Sequence, residues 1–149
     1  MTTFDPLRAA EHVHGHMGWL AAIALLHPAI LLRRRERRAH LSVGLAALTV
    51  TLAGALGVSI YGGYRERLRQ SIFKQAAWVG YAFERKEHLA FGVVMLSWAG
   101  ALAYLAAAFT QGETRASLRR AAHWSFVIAA VVAVVTATLG TIVATYKTF

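Results

Sequence analysis

Four stretches of this 149-residue chain contain no Lys, Arg, Asp or Glu: residues 12–32, 40–64, 88–111 and 121–146. Each is long enough to cross the ~30 Å hydrocarbon core of a bilayer as a helix rising ~1.5 Å per residue. Lipid offers the backbone no hydrogen-bond partner, so a spanning segment must satisfy its own N–H and C=O groups, which a helix does within one segment. The fourth stretch is rich in Val and Thr, as a buried strand would be, but its length selects helix. The fold expected is all-α and integral to the membrane: an up-and-down four-helix transmembrane bundle in one domain, with spans near 12–32, 40–62, 88–110 and 121–146. Composition agrees, because 57% hydrophobic and 15% charged residues leave too little charge to cover a soluble domain.

The net charge of +9 would suit a nucleic-acid partner, yet the basic residues avoid the apolar runs and collect in the connections. That distribution indicates membrane lipid and no nucleic acid. The stretch before the first span (Asp5, Arg8, Glu11) makes no basic leader, and Asp5-Pro6 reads as an N-cap followed by the first helical residue. Two short links, around Arg33, Arg34, Arg35, Arg37 and Arg38 and around Arg115, Arg119 and Arg120, carry eight basic residues against two acids on one membrane face. The positive-inside rule puts these links in the cytoplasm and both termini outside it. The longer connection between the second and third spans has Leu68, Ile72, Phe73 and Ala76 at helical spacing among basic residues. It predicts an interfacial helix within 64–83, or a continuation of the second helix beyond the bilayer. The excess of Arg over Lys and the abundance of Ala suggest a bacterial inner membrane.

The absence of cysteine excludes disulfides, iron–sulfur clusters, thiolate metal sites and haem attached through thioethers. No span contains a carboxylate, which excludes di-iron carboxylate centres and acidic proton relays. Histidine carries the remaining chemistry. Each uncharged stretch has one at or near its N-terminal end: the His12, His14, His16 cluster, then His40, His88 and His123. In an up-and-down bundle the first and third helices lie across one diagonal and the second and fourth across the other. The first helix's ligand and His88 then share one membrane face, and His40 and His123 share the other. Two diagonal imidazole pairs are what two six-coordinate b-type haems require.

Three histidines are followed one turn later by glycine: Gly18 after His14, Gly44 after His40, and Gly92 after His88. Residues four apart share a helix face, so a missing side chain there either clears space for a porphyrin or lets helices pack closely. The face of His14 continues through small residues and that of His16 through bulky ones. His14 is therefore the first choice of ligand, His16 the alternative and His12 a solvated interfacial residue. His27, just before Pro28, is expected to bond the freed Ala24 carbonyl, a haem propionate or a quinone oxygen. Met17 and Met95 read as packing, and Arg37, Arg38, Arg119, Arg120, Arg85 and Lys86 stand where haem propionates would be paired.

With His14-Gly15 followed by Trp19 and Pro28, His40-x-x-x-Gly44, His88-x-x-x-Gly92, and Arg119-Arg120 ahead of His123 with Gly140 beyond, the chain resembles the cytochrome b561 family. The resemblance spans nearly the whole chain through a sparse pattern. It implies a di-haem membrane cytochrome moving electrons across the bilayer, with haems held by the first and third and by the second and fourth helices. Donors of the family include ascorbate and quinols, and its acceptors include ferric iron and other one-electron oxidants. The chain departs from the family in its shortness, its lack of flanking helices and its long second connection. The reading is thus an electron-transfer protein or oxidoreductase subunit holding two haem b groups, with a quinone as a further candidate cofactor. Its partners would be a quinol or redox-protein donor and an acceptor, with a homo-oligomer or a larger complex both compatible. The alternative is a haem-free membrane anchor or assembly subunit of a larger redox complex. A third reading is a quinone-reactive or haem-delivery protein with a single iron site.

Overall fold

The computed structural model describes residues 5–34 and 39–146. Five helices follow in order: α1 (Pro6–Arg33), α2 (His40–Arg67), the short α3 (Arg69–Gln75), α4 (Ala77–Ala106) and α5 (Gly112–Thr145). Four of them, α1, α2, α4 (extended by a 3-10 turn to Phe109) and α5, are long and apolar enough to span a membrane. The expected all-α four-helix membrane bundle is therefore the architecture found.

Local chemistry sets the boundaries. Asp5 caps α1, its Oδ1 accepting from the Leu7 amide at 3.0 Å, and Pro6 occupies the first turn. Gly112 opens α5 at a φ of +59°, a left-handed conformation that reverses the chain after Phe109 and disfavours any residue with a Cβ. The helices extend beyond the uncharged stretches. His88 lies eleven residues into α4 (88 − 77) and His123 eleven residues into α5 (123 − 112), because the charged turns before them are also helical. Between α2 and α4 neither expected form occurs alone: α2 continues to Arg67, and α3 then folds back against α4. Ile72 and Leu68 bury themselves with Tyr64, Val79, Phe83 and Val143 in a small apolar cluster at this end. Tyr64 stacks on Phe83 at 4.0 Å between ring centres, and Gly80 gives the Phe73 ring room that any Cβ would block. Outside the bundle, Arg69 bridges to Glu84 at 2.7 Å, and that hydrogen bond raises the guanidinium pKa further above its ordinary value.

α1 packs against α2 and α5, and α4 packs against α5 and α2. The four spans therefore close in the order α1, α2, α4, α5, with α1 and α4, and α2 and α5, at opposite corners. The interior is lined by small residues, including Ala21, Ala22, Ala46, Ala47, Ala129, Ala130 and Ala133, which let the helices approach closely. Leu25 and Phe126 fill the remaining space and are fully buried. Phe126 lies over Gly100, where a Cβ would come within 3.0 Å of its ring. The α2–α4 seam is the most sparsely packed of the four.

Candidate functional site

The 3.6-residue repeat decides which histidines can face the interior. His14 falls on the same stripe of α1 as the buried Ala21, Leu25 and Leu32, and is half-buried. Its imidazole rests on Gly57 of α2, where a Cβ would lie 2.8 Å from His14 Cε1. His12 and His16 are exposed on the opposite side. Of the three, His14, the first choice of ligand, is thus the one turned toward the bundle.

His123 is half-buried at the α5–α1 seam, with Nδ1 2.9 Å from the Ala29 carbonyl oxygen. A carbonyl can only accept, so Nδ1 carries a proton, and in the neutral ring Nε2 would keep the lone pair. His88 is arranged alike: Nδ1–H donates over 2.8 Å to the carbonyl of Glu84, one turn earlier in α4. A carbonyl holding one imidazole nitrogen while the other is left to an acceptor is the usual second-layer support of a metal-ligating histidine. His88 is exposed, however, and lies about 140° around the α4 axis from the buried Val93, at ~100° per residue.

His40 opens α2 at the α2–α4 seam. It meets the Tyr104 ring edge-on at 5.3 Å, and the Arg119 guanidinium lies 5.6 Å from the centre of that ring. The Tyr104 hydroxyl accepts the Ala39 amide at 2.8 Å, which ties α4 to the start of α2. His40 and Tyr104, with Gly44, Trp98 and Leu105, line a groove of about 230 Å³ along the α2–α4 seam. His27 bonds Ser42 at 2.9 Å and not the Ala24 carbonyl, linking α1 to α2.

The bundle thus places His14 and His88 toward one end, and His40 and His123 toward the other, without turning either pair face to face. His40 belongs to the α2–α4 seam and His123 to the α5–α1 seam, on opposite sides of their diagonal. Among the described residues no three metal-ligating side chains converge. In kind, the residues fit haem. The donors are imidazoles, two of them with Nδ1 already committed, and a Cβ added at Gly18, Gly44 or Gly92 would meet nothing within 4 Å. Among the basic residues proposed for propionates, Arg119 packs on Tyr104, Arg120 bonds Ser117 at 3.1 Å, and Lys86 lies over Phe83. Arg85 is exposed, and Arg37 and Arg38 fall outside the described residues. Met17 packs against the core while Met95 is exposed, so neither joins the histidines.

Sequence reasoning singled out neither Tyr104 nor Ser97. Ser97 is fully buried in α4 and its hydroxyl has no hydrogen-bond partner among the described residues. By contrast, Thr49, Thr51, Thr136 and Thr138 each return their hydroxyl to the carbonyl one turn earlier. A serine inside an apolar span is the only signal that could have marked it. Comparison of the chain with family models, curated proteins and solved structures gives no match.

Proposed function

We propose that the chain is a b-type di-haem membrane cytochrome that carries electrons across or within the bilayer, from a quinol or other one-electron donor to an acceptor on the other side. The supporting observation is the imidazole near the start of every uncharged stretch, with Nδ1–H of His88 and His123 committed to a carbonyl and Nε2 left as a donor. His14 with His88, and His40 with His123, would hold the two irons through Nε2. Bound by these histidines, haem would supply a one-electron couple, which suits electron transfer. The Glu84 and Ala29 carbonyls fix tautomer and ring orientation. Gly18, Gly44 and Gly92 leave space beside His14, His40 and His88 that a flat macrocycle needs, whereas His123 has Val127 at that place. For facing pairs, the His88 ring has to come in from the exposed side of α4, and the α2–α4 seam is where the bundle yields most easily. On this reading the chain would be a member of the cytochrome b561 family in a bacterial inner membrane, with the short basic links on the cytoplasmic face.

A second reading, a haem-free anchor or assembly subunit, is favoured by the closed interior, where Leu25, Phe126 and the alanines already meet. The optical spectrum of detergent-purified protein made under haem-replete conditions decides. The cytochrome reading expects reduced b-type bands at a haem-to-protein ratio of two. No haem bands would leave the anchor reading, and a ratio of one would leave a single-site haem or quinone protein.

A further inference from the structure

With His14 as the inward-facing ligand of α1, His12 and the alternative ligand His16 are left outside the haem reading, yet they stand together. Both lie on α1, a continuous helix capped at Asp5, and both are exposed on the side facing away from the bundle. Four residues of helix separate them by about 6 Å along the axis and about 40° around it. Two imidazoles at that spacing can turn one nitrogen each toward a common ion at about 2.0–2.1 Å. The same spacing places the two histidines of helical zinc-protease motifs on one metal. Neither ring makes a hydrogen bond or ion pair among the described residues, so both are available without breaking an existing contact. The histidine between them, His14, points the other way, into the contact with Gly57. Glu11 is half-buried on another face, so the chain supplies two nitrogen donors and water completes the coordination.

We propose that His12 and His16 form a surface site for a divalent transition-metal ion on the outward face of α1. Imidazole donors with water suit Cu(II), Ni(II) and Zn(II), and the general order of affinities puts Cu(II) first. The site stands independently of whether the bundle binds haem. Both rings are exposed, so replacing them leaves the packing of the helices intact.

The test is Cu(II) titration of the full-length, tag-free protein in detergent, followed by calorimetry and by the nitrogen hyperfine pattern in its paramagnetic resonance spectrum. One strong site with two equivalent nitrogen ligands is expected. His12→Ala and His16→Ala should each weaken it at least tenfold and leave one nitrogen, and the double variant should lose the site together with its nitrogen pattern. His27→Ala, which removes an exposed imidazole elsewhere, should leave the affinity unchanged. Helicity measured by circular dichroism checks that each variant folds. Affinity within twofold of the parent in both single variants overturns the proposal. So does a one-nitrogen signal in the parent.

Discussion

The glycines one turn after the histidines can be separated from ordinary packing glycines by what an added methyl group does. At Gly44 a Cβ would meet nothing within 4 Å, whereas at Gly100 it would stand 3.0 and 3.1 Å from two atoms of the Phe126 ring and 3.2 Å from Ser125 Cβ. Phe126 is fully buried and has no free direction in which to retreat. A glycine inside a helix costs roughly 0.5–1 kcal/mol relative to alanine, so Gly44→Ala should stabilise the protein by up to about 1 kcal/mol. Gly100→Ala makes the same gain but overpacks, at about 1–3 kcal/mol, and should be net destabilising by about 0–2.5 kcal/mol. The unfolding midpoint in mixed micelles, followed by circular dichroism, reads both. A larger side chain at the open position then asks what the space is for. Gly44→Phe fills the floor of the α2–α4 groove, and under the cytochrome reading it should lower the haem-to-protein ratio from two to one while the midpoint holds. Full haem content in Gly44→Phe would refute the clearance argument, and destabilisation by Gly44→Ala would show that this glycine serves packing.

His40→Ala and His123→Ala should each remove the same haem and leave the other, as counted by the reduced-minus-oxidised spectrum; loss of one common haem in His40→Ala and His88→Ala would disprove the diagonal assignment. Ser97→Ala removes a buried hydroxyl that has no partner and should stabilise the haem-free protein by about 1–3 kcal/mol in the same unfolding assay; a loss of stability would mean that the hydroxyl is engaged. Phe126→Ala empties the centre of the interior and should cost about 3–5 kcal/mol, with an unchanged midpoint arguing against the packing described.

The spans, the capped start of α1 and the corner positions of the helices were legible because each follows from a local rule: absence of charge, an Asp-Pro pair, and short links that force neighbours to run antiparallel. The inward choice of His14 was legible for a related reason, since it shares its stripe with Ala21 and Leu25 and periodicity alone fixes a stripe. The starts of α4 and α5 were not. Charge marks where the bilayer ends, but Glu84, Arg85, Lys86 and Glu87 are good helix formers, and the helix runs through them. Nor does periodicity tell which neighbour a half-inward residue meets. His40 and His123 flank the interior on different seams, through Tyr104 for one and the Ala29 carbonyl for the other. Those partners are remote in sequence and become neighbours only once the bundle closes.

The position of the groove on the α2–α4 seam has a consequence for how any ligand of His40 should be measured. Its mouth is flanked by exposed apolar Leu48, Trp98 and Leu105, so in a membrane-spanning bundle it would open toward hydrocarbon. A molecule reaching it arrives from solution in the bilayer, and its occupancy follows mole fraction in lipid. Diluting the membrane with inert lipid at constant total ligand should empty such a site, whereas diluting with buffer should hardly change it.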